Sequence, residues 1–459
     1  MCEAVFGRCG GVHTNISMAK LTFSGGIHPY DGKEMSKDIP IKEYFPKGEM
    51  VYPLSQHIGA PSVPVVAKGD HVFVGQKIAD ANGFMSVPIY SSVSGTVLDI
   101  KPHRVVAGDN AMCIIIENDG LYKEMDHWEI KHLEDMTNEE IINRVRDAGI
   151  VGMGGAGFPT HVKLSVKEPS KIDYVIVNGA ECEPYLTSDY RKMIEEPEFL
   201  LEGLKVYLKL FPNALGIVAI EDNKPDCIKI FRALTKEEPR ITVKALRTKF
   251  PQGSERHLIY ACTGRELNSK MLPADVGCVV NNVDTVISVR RAIYEGKPLL
   301  FRIVTVTGNC IKNPRNFKVR IGTSYNELVQ AAGGFRKEPV KIISGGPMMG
   351  LCLFDLDVPV TKTASALLCL STDDVALFEE SNCINCGKCV EACPERLVPK
   401  DLSDHAAHFN EQAFEDEHGL ECVECGCCSY VCPAKRPLTQ NIKSMRKIVL
   451  QKKKAGGKK

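Results

Sequence analysis

Near the C-terminal end one cysteine pattern occurs twice. CINCGKCVEACP (383–394) is answered by CVECGCCSYVCP (422–433), and both read C-x2-C-x2-C-x3-C-P. In this run three closely spaced thiolates reach one face of a [4Fe–4S] cluster, and the fourth Cys, carried off ahead of Pro, ligates the other cluster. The expected ligands of one cluster are therefore Cys383, Cys386, Cys389 and Cys432. Those of the other are Cys422, Cys425, Cys428 and Cys393, and Cys427 is left over as a small packing residue. The competing explanation is a pair of zinc sites, but these favour C-x2-C pairs without the third Cys or the C-P ending. Nine of the chain's 19 cysteines fall between Cys383 and Cys432. Disulfides are rare in cytoplasmic proteins, so such crowding calls for metal first. The 28 residues between Cys393 and Cys422 are patterned like helix after Asp401 or Ser403. A helical two-cluster ferredoxin module is expected over 361–435.

Two clusters in tandem form a one-electron wire, and a wire needs a source. The 459 residues suffice for several domains, and 44% hydrophobic with 25% charged residues suits a globular chain with ample core. Lys plus Arg (57) balance Asp plus Glu (57), so nothing in the charge points to nucleic acid. No apolar run approaches the roughly 18 residues that span a bilayer. Residues 1–17 lack the continuous apolar stretch of a signal peptide. They read as a disordered leader with Met18 as an alternative start, and the chain is expected to stay on the cytoplasmic side. The end of the chain (436–459) reads as a basic tail, either solvated or facing an acidic partner or anionic lipid.

Between these ends the patterning divides the chain. After an N-terminal arm (1–45), residues 46–118 carry short β-rich runs broken by Gly-Asp and Ser-Gly turns. KGDHVFVGQKIA and SVSGTV resemble the lipoyl/biotinyl barrel-sandwich family. The hairpin tip that bears a modified Lys in carrier domains falls near Phe84, and ANGFMS has no Lys, so the scaffold is expected without the carrier function. A linker (119–136) leads to alternating helix and strand over 137–298, a three-layer α/β domain. Thr137 and Glu140 form a T-x-x-E capping box at its start. Strands fit 172–177, 215–220, 241–246 and 276–280. Residues 299–360 read as a small β-grasp unit, giving a multidomain α/β plus β architecture.

GIVGMGGAGFPTHVK (149–163) satisfies G-x-G-x-x-G through Gly152, Gly154 and Gly157. A Rossmann turn, however, follows a strand and opens a helix. Here the glycines follow a predicted helix (139–148) and precede Phe158 and Pro159. The better reading is a loop whose N–H groups face an anion, with Gly155 adding to its openness and Lys163 neutralising a phosphate. VNGAECEPYLTSD (177–189) and VVNNVDT (279–285) follow predicted strands, and α/β ligands sit at such carboxyl ends. Asn178, Glu181, Glu183, Asn281 and Asn282 would converge there, the amides reading ring atoms and the carboxylates binding sugar hydroxyls. Each residue alone is also a common loop cap, and only their joint placement points to a ligand.

GMGGAGFPTHVK, VNGAECEPY, FPQGSERHLIYACTGRE and NNVDT resemble the flavin-binding subunit of respiratory NADH dehydrogenase. With FSGGIHP (23–29), the barrel-sandwich unit, GGPMMG (345–350) in an SLBB-like β-grasp unit and the cysteine runs, the order is similar to the C subunit of Rnf electron-transport complexes over 18–435. That resemblance implies FMN bound noncovalently by Gly152, Gly154, Gly155, Gly157 and Lys163, with Asn178, Glu181, Glu183, Asn281, Asn282 and Thr285 at matching positions. It implies NADH stacking near Phe158, with Glu183, Gly253 and Glu255 in its neighbourhood. The dehydrogenase subunit has Cys-Gly-Glu-Glu where this chain has QGSE (252–255), which weakens the nicotinamide assignment. The implied chemistry is hydride transfer to FMN, then single electrons through two [4Fe–4S] clusters to membrane partners. The complex as a whole would couple reversible NADH–ferredoxin electron transfer to Na⁺ or H⁺ transport, with ferredoxin reached only indirectly. A soluble cobalamin reductase of bacterial microcompartments shares a similar domain order, and a non-catalytic electron-relay or docking subunit is the third reading.

Overall fold

The computed structural model describes residues 21–126 and 128–456, so the expected leader and Met18 lie outside the described residues. The barrel-sandwich forms as read. One sheet runs Met50–Pro53, Asn110–Asn118, Gly95–Arg104, His71–Val72, and a second runs Val63–Pro64, Lys77–Asp80, Ile89–Tyr90. Their inner faces bury Tyr52, Val72, Ile78, Val97 and Ile114. The linker is docked rather than loose, since Leu133 and Met136 enter the main core and Trp128 packs edge-on against Tyr90.

The α/β domain opens with the helix Asn138–Asp147, whose Thr137–Glu140 capping box is present. Four parallel strands follow in the spatial order Ile241–Leu246, Leu215–Glu221, Tyr174–Gly179, Cys278–Asn282. All four predicted strands exist, the first and last displaced by two residues. Helix Glu255–Thr263 covers one face through Leu258, Ile259 and Cys262. Helices Pro197–Leu210, Pro225–Leu234 and Val283–Tyr294 cover the other, completing three layers.

The β-grasp sheet is wider than 299–360. Its strand order is Lys42–Tyr44, Arg315–Arg320, Phe301–Thr307, Ala366–Leu370, Lys341–Ser344, Leu351–Cys352. The N-terminal arm thus supplies one edge, pairing in parallel with Arg315–Arg320. An interior strand comes from beyond the expected boundary at 360, because Ala366, Leu367, Leu368 and Cys369 are fully buried and belong to this core rather than to the ferredoxin module. A second correction concerns 436–459. The helix Leu438–Gly456 places Leu438, Ile442, Met445 and Val449 in the interior, the last three sharing the ferredoxin core. That three- and four-residue spacing is an amphipathic helix, not a free tail. Its Lys452 and Lys453 pair with Glu411 and Glu415 of the same chain.

Three domains meet at Lys362. Its fully buried ammonium donates to Pro88 O in the barrel-sandwich and to Gly149 O ahead of the glycine loop, both at 2.7 Å. Burial lowers its pKa to about 7. Removing the side chain leaves two buried carbonyls unpaired and a cavity behind. Lys362→Ala is expected to cost about 3 kcal/mol on those principles, read as a lower midpoint in chemical denaturation, and to reduce FMN retention in parallel.

Candidate functional site

The chain order of the four parallel strands reverses between Tyr174–Gly179 and Cys278–Asn282, a topological switch point where α/β sheets open a ligand crevice. Asn178 and Asn282, register partners, stand at the carboxyl end of that pair. A cavity of about 1170 Å³ opens there. That exceeds the range of about 300–1,000 Å³ usual for one small ligand. Gly152, Gly154, Gly155, Gly157, Phe158, Lys163, Asn178, Glu181, Glu183, Gly253, Glu255, Asn281 and Asn282 all line it. Thr285 does not. It is fully buried beneath the loop, where its Oγ1 accepts from Met153 N–H at 2.9 Å.

The glycine loop lies between the helix Asn138–Asp147 and the short helix Thr160–Leu164, not between strand and helix, which disposes of the Rossmann reading. Val151 bridges to Pro159, and Gly152 N–H donates to Phe158 O at 2.8 Å, closing the loop at its base. Gly154 (φ 89°) and Gly157 (φ 73°) need left-handed backbone. A Cβ on Gly157 would also stand 2.8 Å from Thr363 Cγ2, whereas one on Gly155 would meet nothing within 4 Å. Among the described residues, the exposed N–H groups of Gly154, Gly155 and Ala156 find no protein acceptor. Successive free N–H groups of this kind form an anion cradle.

The expected ligand side chains divide by what already occupies them. Asn178 donates to Gly253 O (2.8 Å) and accepts from Ala180 N–H (3.3 Å). Asn282 donates to Asp189 Oδ2 (2.6 Å) and caps the helix Val283–Tyr294 through Asp284 N–H. Glu181 accepts from the N–H groups of Asp189 and Tyr190, at the start of the helix Ser188–Glu195. Glu183 accepts from Met348 and Met349 N–H, tying the crevice to GGPMMG, and burial raises its pKa. These four side chains build the walls. Lys163 donates to Glu255 Oε1 (2.9 Å) and Val280 O (3.1 Å), leaving one of its three protons for a ligand. Asn281 stands apart: its side chain is buried in the cavity wall with both Oδ1 and Nδ2 unpaired. Free N–H groups and a lysine at the cavity surface, with an unpaired amide buried in its wall, are a donor set that suits a phosphorylated, polar-ringed cofactor such as FMN.

Several wall residues escape a reading of the sequence alone. Asp189 closes the stretch 177–189. Burial, then the carboxylates of Glu181 and Asp284, raise its pKa to about 7 against the hydrogen bond from Asn282. Arg302 enters from the β-grasp domain and pairs with Asp284. Phe84, at the tip of the barrel-sandwich hairpin, lines the cavity too. So do Val423 and Cys425 of the second cysteine run.

Each predicted cysteine quartet surrounds its own cavity. Cys383, Cys386, Cys389 and Cys432 line one of about 170 Å³, with Cys386 exposed. Cys393, Cys422, Cys425 and Cys428 line another of about 20 Å³, and Cys425 belongs to the crevice wall as well. The repeat extends to the backbone: Asn385 and Glu424, Gly387 and Gly426, and Arg396 and Lys435 all take positive φ. Asn385 N–H faces Cys383 Sγ and Glu424 N–H faces Cys422 Sγ, both at 3.4 Å. Among the described residues no three His, Cys, Asp or Glu side chains are grouped to hold a single metal ion. Cys427 is buried against Phe250 and Ala392, as a packing residue should be.

Asn281 generates a sharp expectation. A buried amide without partners costs about 1–3 kcal/mol, recovered only when a ligand pairs with it. Asn281→Ala is expected to leave the ligand-free protein as stable as, or more stable than, the parent in denaturant titration. FMN affinity, measured by flavin fluorescence, should fall by at least about tenfold.

Comparison with known proteins agrees with this architecture. Residues 145–291 match the family described as Nuo51 FMN-binding domain, and 21–121 match the RnfC barrel sandwich hybrid domain. Residues 303–351 match the SLBB domain and 382–435 the 4Fe-4S dicluster domain. The chain is 44% identical over 438 residues to the C subunit of the Na(+)-translocating ferredoxin:NAD(+) oxidoreductase complex of Acetobacterium woodii, covering 94% of this chain and 98% of that protein. It is 44% identical to the C subunit of the proton-translocating ferredoxin:NAD(+) oxidoreductase complex of Clostridium ljungdahlii, over 87% of each chain. To the C subunit of the ion-translocating oxidoreductase complex of Vibrio cholerae it is 36% identical, over 84% of this chain and 50% of that one. The FMN-binding and two-cluster domains, in this order and at this identity, place the chain in the family of Rnf complex C subunits.

Proposed function

We propose that this chain is the NADH-oxidising subunit of an ion-translocating ferredoxin:NAD⁺ oxidoreductase, working reversibly at the cytoplasmic face of the membrane. Among the described residues no helix is long and apolar enough to cross a membrane, so attachment through partner subunits fits. The observation that carries the reading is Cys425, shared between the crevice wall and the quartet of Cys393, Cys422 and Cys428. The other quartet, with exposed Cys386, faces outward.

In this reading FMN, when bound, converts the electron pair of a hydride into single electrons that two [4Fe–4S] clusters can carry. The chain's own residues bind and position. The N–H groups of Gly154, Gly155 and Ala156 and Lys163 would hold the phosphate, and the unpaired amide of Asn281 would pair with polar atoms of the flavin. Glu255 keeps Lys163 aimed across the crevice, and Glu183 fixes the β-grasp loop over it. Phe158, Gly253 and Glu255 leave room for a second nucleotide beside the first. The free loop donors and the unpaired amide of Asn281 disfavour a relay that has lost its nucleotide site. The near-complete match to Rnf subunits disfavours a soluble cobalamin reductase.

Anaerobically reconstituted protein is expected to hold about eight irons, the two-cluster count, together with FMN that NADH bleaches. In Cys386→Ala, NADH should still reduce FMN and the remaining cluster, followed by absorbance and EPR, while reduction of an external one-electron acceptor is lost. Zinc without iron, or full acceptor reduction in the variant, would overturn the assignment.

A further inference from the structure

The barrel-sandwich brings a hairpin tip to the flavin domain, and the tip is braced. Met85 O accepts from Ala60 N–H at 3.1 Å, and a Cβ on Gly59 would stand 1.8 Å from that oxygen. Phe84 O pairs with Nε2 of His161 at 2.9 Å, and the Phe84 ring sits edge-on to the imidazole at 5.5 Å. His161 is buried on the short helix that follows the glycine loop. Nearby, Ile58 N–H donates to Gly157 O within the loop itself. The barrel-sandwich is therefore fixed to the flavin domain at two points here, yet Phe84 remains 62% exposed in the cavity wall.

A large apolar ring held rigid but uncovered at the edge of a ligand cavity is a stacking surface waiting for a partner. The other phenylalanine rings of the wall, Phe158 and Phe250, are half-buried and buried. The segment that continues from the His161 helix brings Lys167 and Lys171 into the same wall. Lys171 pairs with Glu168, while Lys167, among the described residues, makes no ion pair or hydrogen bond. An exposed ring and an unspent cation in one cavity wall suit a base linked to phosphate. The cavity is also larger than one ligand needs. We propose that Phe84 is the stacking platform for the purine base of NAD(H), a specificity-determining residue lent by the barrel-sandwich domain. This rests on the reading of the crevice as a nucleotide site. The purine is favoured over the nicotinamide because the reacting ring must lie inward on the flavin, whereas the Phe84 ring is open to solvent.

The test uses the full chain reconstituted with FMN and iron–sulfur clusters. NAD⁺ binding is measured by equilibrium dialysis, and flavin reduction by NADH and by reduced nicotinamide mononucleotide, which lacks adenosine. Phe84→Ala should retain full FMN and iron content, bind NAD⁺ about tenfold more weakly, and raise KM for NADH with little change in kcat. Phe84→Trp should bind as the parent does, since either ring presents a face. Reduced nicotinamide mononucleotide should react equally with parent and Phe84→Ala. Unchanged NAD⁺ affinity in Phe84→Ala, or an equal loss with the mononucleotide, would overturn the platform. A parent protein that binds neither nucleotide would instead overturn the nucleotide reading of the crevice.

Discussion

The crevice is assembled across domain borders, and the buried ammonium of Lys362 ties the most central one. It joins carbonyls of the barrel-sandwich and of the segment ahead of the glycine loop. The same logic recurs in the N-terminal arm. Lys33, fully buried, donates to the carbonyls of Glu181 and Glu183, and Lys224 donates to that of Ala180, so two lysines hold the turn after the first parallel strand. Gly25 and Gly26 wedge against the ferredoxin module. A Cβ on Gly25 would stand 2.6 Å from Cys393 O, and Gly26 N–H donates to Ala392 O. FSGGIHP is thus a clamp that presses one cysteine run against the α/β domain, and its glycines are there for close approach rather than for a ligand.

Much of the architecture is legible in the sequence because its signals are local. The cysteine spacing is set by how a short loop presents thiolates to a cluster, and it requires no knowledge of distant contacts. The capping box and the four strands follow from patterns within a dozen residues. What stays hidden is long-range. Ala366–Leu370 carries no alternation because both its faces are buried, so nothing local assigns it to the β-grasp sheet. The Leu438, Ile442, Met445, Val449 stripe has the period of a helix, but the run of lysines after it masks that period with charge.

The site shows the same division more finely. Asn178, Asn282, Glu181 and Glu183 do share one crevice, yet their polar atoms are engaged in capping and cross-domain bonds. Sequence position can bring a side chain to a strand end, but only the full hydrogen-bond inventory shows whether it is free. Thr285 lies one layer deeper for the same reason, since its hydroxyl is used by Met153. Phe84 and Arg302 cannot be read from the sequence as wall residues, because each arrives from a different domain.

The unequal burial of the two quartets gives the proposed wire an orientation. Cys393, Cys425 and Cys428 are buried, and Cys425 reaches the crevice. Around the other quartet, Cys386 is exposed, as are Ile384, Val390 and Val398. In the proposed arrangement a buried cluster beside the flavin would be shielded from solvent and would exchange with its neighbour. An exposed one, rimmed by apolar side chains, can be approached by a second redox protein that excludes water on docking. Asn281 adds the last condition: its buried amide has no partner within the protein, and in the proposed reading the bound cofactor supplies one.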